Sequence, residues 1–257
     1  MSRLRAWLDR TPLSLVALDL MRDATGRADP LEPLRAPKAV RLPGGRRVGF
    51  WSLVGGAGAS TTAALLAHRS AGAGTAPVLV DLDRWAPSLA VRAGIQATTV
   101  ADALLRPGRE RECLSRWSEV PFLPGAVGLD TMLETSRAVE LLGRLGTAAP
   151  LVVDLGSGAD ALDAGILSSL EHLCVVTGPR AAQLQGAFCS VALLRDAPCA
   201  VGLVTVGAEA EDAKRIASRL PWPLLAAIPH DAYLAADGFA ARAPTMAAVD
   251  RLIEALG

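Results

Sequence analysis

The 257-residue sequence is poor in lysine and aromatic residues and has no net charge, and each shortage argues against a class of function. Only Lys38 and Lys214 are lysines among 26 basic residues, and 26 acidic residues bring the formal charge to zero. This balance argues against a strongly basic nucleic-acid-binding protein, so a nucleic-acid partner is not expected. Aromatic residues make up only 4% of the chain, too few to suggest a surface on which single-stranded bases stack.

Paired cysteines, closely spaced histidines and long apolar runs are also missing. The four cysteines form no CxxC pair and the three histidines lie far apart, so the pattern predicts reduced thiols and no cysteine–histidine metal site. No uninterrupted apolar run reaches about 18 residues, so no transmembrane segment is predicted. Asp9, Arg10 and Asp19 interrupt the N-terminal segment, which argues against a signal peptide and favours a cytoplasmic location.

A hydrophobic content of 51% is enough to bury a large core, and its distribution indicates the fold class. From Arg47 onward, short continuous apolar runs alternate with Ala- and Leu-rich segments of helical length. Continuous runs are typical of strands that are buried on both faces of a parallel sheet. We therefore expect an α/β fold with a mostly parallel central sheet of about seven strands and helices on both faces. The predicted strands span 48–54, 77–83, 120–124, 151–156, 172–178, 200–206 and 224–229, and the predicted helices lie around 60–73, 98–106, 131–147, 180–195, 209–219 and 245–256.

Residues 1–46 do not follow this alternation. Apolar residues at helical spacing predict an amphipathic helix over residues 1–20. Prolines and charged residues dominate residues 23–46 and predict a linker or an extended segment. The chain is thus expected to consist of an N-terminal helix and Pro-rich extension over residues 1–46 and one α/β domain over residues 47–257.

The turn between the first predicted strand and the first predicted helix is rich in glycine. Gly55, Gly56 and Gly58 permit a tight turn whose N–H groups point inward, and Ser60 and Thr61 then open the helix. A helix N-terminus carries partial positive charge, so this turn suits an anion such as phosphate. The alternative is that the glycines only let the helix pack closely on the sheet.

Acidic residues end two of the predicted apolar strands. Asp81 and Asp83 end the second strand, and Asp154 ends the fourth. A carboxylate in such a place must be hydrated, paired or bound to a metal ion. Ligands of parallel α/β sheets bind at the carboxyl ends of the strands, so these acids are candidates for a role next to magnesium. Pairing with an arginine or with a helix N-terminus is the alternative.

The glycine-rich turn resembles the deviant Walker-A loop of the ParA/MinD superfamily of P-loop ATPases. The family pattern is KGGxGKTT, and this sequence has VGGAGAST at residues 54–61. The glycines match, and Ser60 occupies the position whose hydroxyl binds magnesium in the family. Both family lysines are absent, because Val54 replaces the signature lysine and Ala59 replaces the usual P-loop lysine. The loop is most similar to those of the CpaE/TadZ branch and related septum-site-determining proteins.

The resemblance extends over residues 47–257 and keeps the family's order of motifs. Residues 78–94, VLVDLDRWAPSLAVRAG, resemble the second strand and switch I, and residues 151–158, LVVDLGSG, resemble the Walker-B strand. Residues 174–238 contain segments similar to the last third of the fold. The resemblance therefore implies the P-loop NTPase fold that the alternating pattern also favours.

The resemblance further implies a site for ATP or ADP with Mg²⁺. Asp83 matches the catalytic carboxylate that orients the attacking water. Ser60 and Asp154 match the positions that hold magnesium. The implied nucleotide-binding residues are Gly55, Gly56, Ala57, Gly58, Ala59, Ser60, Thr61 and Arg84.

The loss of both lysines predicts weak nucleotide binding and slow or absent hydrolysis. One charge-assisted hydrogen bond contributes about 1.5–3 kcal/mol, so losing two weakens triphosphate binding by a factor on the order of 10²–10⁴. Arg84 is the preferred substitute cation because switch I faces the phosphates in the family; Arg46 and Arg47, before the first strand, are the other candidates. The alternative is that Arg84 is a solvated surface arginine.

By resemblance, the protein is expected to be a spatial regulator or an assembly and localisation factor for a pilus, a secretion machine or a septum. It is expected to act as a homodimer with an unknown protein partner from such a machine, in the cytoplasm or peripherally at the inner face of the membrane or the cell pole. The segment 245–256 lacks a Lys/Arg-rich polar face, so it is predicted to pack as the last helix of the domain. Two alternatives stay open, a partition-type ATPase with a substitute arginine and an interaction scaffold that binds no nucleotide.

Overall fold

The computed structural model contains an eight-stranded sheet in the residues it describes. The described residues are 40–74, 76–127, 134–235 and 241–257. The strands are β1 (Arg47–Ser52), β2 (Val78–Asp81), β3 (Ser115–Trp117), β4 (Val120–Leu123), β5 (Leu151–Ser157), β6 (His172–Thr177), β7 (Ala200–Val206) and β8 (Leu224–Ile228). The α-helices are α1 (Ala59–Gly72), α2 (Leu89–Ala93), α3 (Val100–Leu104), α4 (Thr135–Leu145), α5 (Ala164–Ser168), α6 (Ala181–Leu193), α7 (Ala210–Ala217), α8 (Ala232–Ala235) and α9 (Ala243–Leu256).

The sheet has the strand order β3-β4-β2-β5-β1-β6-β7-β8. All its neighbouring strands run parallel except β3, which pairs antiparallel with β4. This confirms the predicted α/β class with a mostly parallel sheet, and each predicted strand corresponds to an observed one. The additional strand, β3, has only three residues and therefore carries no recognisable apolar run.

Both faces of the sheet are buried, which explains why its strands are continuously apolar. In β1, Val48 and Phe50 are fully buried in a core that includes residues of α1 and α9. Trp51, the next residue, is fully buried in the core on the other face, together with residues of α4 and of β5. Successive side chains alternate between two buried faces, so the residues between Arg47 and Ser52 are all apolar or glycine.

The last helix, α9, belongs to the packed domain. It contacts α1 and β8, and the buried Arg69 of α1 forms an ion pair with Asp250 of α9 at 2.6 Å. The prediction that this segment packs as the final helix is confirmed by its apolar face, which is buried at Met246, Val249, Leu252, Ile253 and Leu256. None of the helices that the structure describes has the length and apolar character needed to cross a bilayer.

The segment just before β1 also packs on the domain. Leu42 is fully buried, and its N–H donates to Oγ of Ser70 at 2.9 Å. Arg46 donates through Nη2 to the carbonyl oxygen of Gly257 at 2.8 Å. The predicted helix over residues 1–20, and the predicted extension up to residue 39, lie outside the described residues.

Candidate functional site

The turn after β1 is tight, and part of its backbone faces solvent. Gly56 and Gly58 have φ values of 76° and 98°, a left-handed conformation that glycine adopts without strain. Gly55 and Gly56 are exposed, and a β-carbon at Gly56 would have nothing within 4 Å. Gly58 approaches Val206 at the end of β7. The glycines therefore shape a tight, partly exposed turn at the carboxyl edge of the sheet, and a tight turn is what the sequence predicts.

Helix α1 begins at this turn without a side chain that caps it. Its N-cap residue is Gly58, and its first turn contains no acidic residue. The backbone N–H and the hydroxyl of Thr62 both donate to the Gly58 carbonyl, at 2.9 and 2.8 Å. The partial positive charge at the start of this 14-residue helix is thus not offset within its own first turn, which suits an anionic ligand.

Gln183 of α6 holds the turn in place. Its Nε2 donates to the carbonyl oxygen of Gly56 at 3.0 Å, and its Oε1 accepts from the backbone N–H of Arg180 at 3.3 Å. Thr177 at the end of β6 donates its hydroxyl to the Gln183 carbonyl at 3.0 Å. Gln183 was not among the predicted site residues; its only mark in the sequence is its place as a polar residue in the first turn of an Ala-rich helix, and the structure shows it to be 8% exposed.

Two buried carboxylates lie side by side below the turn. Asp81 and Asp154 are paired in the register of β2 and β5, and they are 0% and 1% exposed. In each, Oδ2 is buried without a hydrogen-bond partner in the described part of the chain. Unpartnered buried carboxylate oxygens are costly, so they indicate a place for a cation.

The pKa values of these two acids are raised. Burial, followed by the nearby charges of Asp154 and Asp83, holds the pKa of Asp81 well above its usual range. Burial raises the pKa of Asp154 to about 6, and the Asp83 carboxylate contributes to the rise. The Ser60 hydroxyl, the N–H of Gly156 and the charge of Arg92 oppose it. The three carboxylates therefore share one electrostatic environment, next to the first turn of α1.

Asp83 is held against the backbone of β5. Its Oδ1 accepts from the N–H groups of Trp85 and Ala86 at 3.0 and 3.1 Å. Gly156 has a φ of 71°, and a β-carbon there would lie 2.6 Å from Oδ2 of Asp83. Only a residue without a side chain lets the Asp83 carboxylate approach so closely.

The donors at this site fit magnesium only together with a phosphate. No group of three or more His, Cys, Asp or Glu residues within the described ranges could hold a metal ion by itself. The Ser60 hydroxyl interacts with the Asp154 carboxylate. Mg²⁺ commonly takes one or two protein oxygens and completes its coordination with phosphate and water, and Ser60 and Asp154 suit that mode.

The two positions that the sequence resemblance aligns with family lysines carry apolar side chains that pack inward. Val54 is half-buried, and its Cγ2 lies 2.7 Å from the position of a β-carbon at Gly186 of α6. Ala59 is 5% exposed and belongs to the core around α1. Lys214, the only lysine among the described residues, forms an ion pair with Glu211 on the exposed α7. No lysine of the described residues therefore serves the turn.

The sequence suggests Arg84 as the arginine at the turn, but the residue that the structure places there is Arg92. Arg92 of α2 donates through Nη1 to Oγ1 of Thr61, in the first turn of α1, at 2.6 Å. Arg84 instead lies near enough to Asp163 for its charge to help lower the pKa of that carboxyl, against the effect of burial. The role of Arg84 in nucleotide binding stays a prediction.

Arg46 and Arg47 lie at the other edge of the sheet. Arg46 forms an ion pair with Glu171, and Arg47 donates to the carbonyl oxygen of Ser169 at 3.4 Å. Both arginines are at the amino end of β1, whereas the turn follows its carboxyl end.

Arg92 was not predicted as a site residue because it lies eight residues beyond Arg84. One signal in the sequence could have found it: it follows the buried Leu89 by three residues, so the two side chains share a face of α2.

Comparison with known proteins identifies the fold. No protein-family model and no curated protein matches the sequence. The septum site-determining protein MinD from Pyrococcus horikoshii, complexed with Mg-ADP, is 22% identical with a TM-score of 0.68, over 81% of this chain and 94% of that one. A ParA family ATPase from Chlorobium tepidum is 19% identical with a TM-score of 0.64, over 82% and 96%. Apo McdA from Cyanthece is 14% identical with a TM-score of 0.63, over 82% and 99%. At these identities the likeness concerns the fold, and the chain has the P-loop fold of the MinD and ParA structures.

Proposed function

We propose that this protein is a ParA/MinD-like spatial regulator or assembly and localisation factor that binds ADP or ATP with Mg²⁺ weakly and hydrolyses ATP slowly or not at all. One observation carries the proposal. The turn keeps its open glycine backbone, the Ser60 hydroxyl and the buried Asp154, while Val54 and Ala59 direct apolar side chains inward where the family has lysines. These backbone and side-chain groups suit an anion with magnesium, whereas the two lysine charges of the family pattern are absent.

The described residues supply the parts of a nucleotide site other than the lysines. The N–H groups at the start of α1 suit the phosphate oxygens. Ser60 and Asp154 would hold Mg²⁺, which when bound neutralises phosphate charge. Asp83 lies at the same edge of the sheet, where it suits the orientation of a water molecule.

Charge explains the expected weakness of binding and of turnover. The carboxylates of Asp83 and Asp154 place negative charge close to the site near neutral pH, so a triphosphate meets repulsion there unless Mg²⁺ accompanies it. Two absent lysines correspond to a loss of about 10²–10⁴ in affinity. Phosphoryl transfer relies mainly on positioning and on neutralisation of charge, so the same absence slows hydrolysis.

A role in spatial organisation is supported by the proteins that share the fold. They include a septum site-determining protein, a ParA family ATPase and McdA. Large apolar side chains are exposed in the segments that follow β2 and β4 at the carboxyl edge: Trp85 at 62%, Val91 at 83% and Val127 at 88%. Such side chains suit a homodimer or a docked protein of a pilus, secretion or division machine. The CpaE/TadZ-like branch, with a cytoplasmic or peripheral membrane location, is part of this proposal.

A partition-type ATPase is the second candidate. The contact of Arg92 with Thr61 at 2.6 Å favours it, because it brings a permanent positive charge to the turn. The two candidates differ in turnover, since the first predicts almost none and the second predicts magnesium-dependent hydrolysis that Asp83→Ala abolishes.

Calorimetric titration of the full chain with ADP and ATP, with and without Mg²⁺, tests the proposal. We expect magnesium-dependent binding between micromolar and millimolar affinity. ATP hydrolysis is then measured for the wild-type chain and Asp83→Ala. The absence of any binding at millimolar nucleotide would contradict the proposal and leave an interaction scaffold, while steady hydrolysis would favour the partition-type enzyme.

A further inference from the structure

We propose that Arg92 is the residue that binds the phosphate groups of the nucleotide at the turn, in place of the missing P-loop lysine. The inference rests on the proposed function, because it assigns a residue to the same nucleotide site. It concerns a guanidinium that comes from α2, outside the glycine-rich turn.

The backbone around Arg92 is well defined. Leu89, at the start of α2, is fully buried and anchors the helix on the domain. Gly94 ends α2 with a φ of 64°, and the N–H groups of Gly94 and Ile95 donate to the carbonyls of Val91 and Ala90. This C-terminal cap satisfies two carbonyl groups of α2 and ends the helix two residues after Arg92.

The guanidinium of Arg92 reaches the first turn of α1. Nη1 donates to Oγ1 of Thr61 at 2.6 Å, and Thr61 follows Ser60, the residue that interacts with Asp154. Arg92 therefore contacts the start of the helix, one residue from Ser60, a proposed magnesium ligand.

Arg92 and the start of α1 present positive charge to the same turn. The guanidinium carries a permanent charge, and the helix N-terminus carries partial positive charge. A phosphate placed between the exposed turn and Arg92 would be attracted by both, and the planar guanidinium binds two phosphate oxygens at once.

The test compares ADP binding by Arg92 variants in calorimetric titrations with Mg²⁺. Arg92→Ala is expected to weaken ADP binding about 10- to 100-fold, as expected for one charge-assisted contact. Arg92→Lys is expected to recover part of the loss, since it restores the charge without the planar geometry. The matched control is Arg116→Ala, an exposed arginine on the edge strand β3, which three strands separate from β1 and which is expected to leave affinity unchanged.

The outcomes separate this inference from the proposed function. If the wild-type chain does not bind ADP, both fail together. If the wild-type chain binds and Arg92→Ala binds equally well, only the assignment of Arg92 fails. Thermal melting without nucleotide checks that each variant is folded. Should Arg92→Ala not fold, Arg92→Gln removes the charge while keeping a hydrogen-bond donor, and the same loss is expected for it.

Discussion

Val54 packs directly against Gly186, because a β-carbon on Gly186 would lie 2.7 Å from Cγ2 of Val54. Val54, which the sequence resemblance aligns with the signature lysine of ParA/MinD proteins, therefore contacts α6 in this chain. Gly186 is buried, so the contact leaves no room for a larger residue at this point of the helix. The apolar replacement thus joins the turn to α6 and is not simply a lost charge.

This contact predicts that Gly186→Ala destabilises the protein. Alanine favours a helix over glycine by about 1 kcal/mol, but overpacking against the stiff Val54 costs about 1–3 kcal/mol. Urea unfolding measures the difference. Gly143→Ala is the matched control, because Gly143 lies in α4 with nothing within 4 Å of a β-carbon, and it is expected to stabilise the protein. Equal effects of the two substitutions would show that the Val54 contact is readily relieved.

A second prediction concerns Gly156 and Asp83. Gly156→Ala combines a positive φ of 71° with a clash against the Asp83 carboxylate, so it is expected to lower the free energy of unfolding by about 2 kcal/mol or more. Gly74→Ala isolates the backbone effect, since Gly74 has a φ of 91° but open space around it. Urea unfolding gives the loss in free energy of unfolding for each variant. The loss for Gly156→Ala minus the loss for Gly74→Ala is the cost of displacing Asp83. A difference near zero would mean that Asp83 moves away freely.

The buried acids predict a pH dependence of stability. The pKa of Asp154 is raised to about 6 by burial, above its unfolded value, so the folded protein binds the extra proton. This acid therefore destabilises the folded state increasingly as the pH rises from about 4 to 6, and fully above that range. Asp154→Asn removes the cost and is expected to raise the melting temperature more at pH 7 than at pH 4.5, without nucleotide.

The control for that experiment is Asp196→Asn, because Asp196 is exposed and its replacement should change the melting temperature little at either pH. If Asp154→Asn raises the melting temperature equally at both pH values, desolvation of the ionised carboxylate is not the cause of the increase.

The Asp154→Asn substitution is also expected to weaken the effect of Mg²⁺ on ADP binding, since Asp154 is a proposed magnesium ligand.

A fourth prediction restores the lysine. Ala59→Lys is expected to strengthen ADP binding by about 10-fold or more, because it returns one charge-assisted contact to the turn. Ala59→Gln serves as the control for side-chain length without charge. Because Ala59 is 5% exposed, melting curves are needed to show that both variants fold. Equal affinities for the two variants, measured by calorimetry, would mean that charge is not what the turn lacks.

Most of the fold could be predicted from the sequence, because the patterns that indicate strands and turns lie within short segments of the chain. Continuous apolar runs predict the parallel sheet, and each such run became a strand. The glycines at 55, 56 and 58 predict the turn, since positive φ values at Gly56 and Gly58 depend on residue type. Strand β3 was not predicted, because three residues that pair only at the edge of the sheet show no period.

The sequence by itself determined the α/β class, the place of the glycine-rich turn and the absence of lysine from it. Tertiary structure decided which side chains meet there. Arg92 and Thr61 are 31 residues apart, and they touch because the fold brings the side chain of Arg92 to the first turn of α1. Asp81 and Asp154 become neighbours through the register of β2 and β5. Spacing along a chain reports which residues share a strand or a helix, whereas contacts between elements, and the burial that shifts a pKa, depend on how those elements pack.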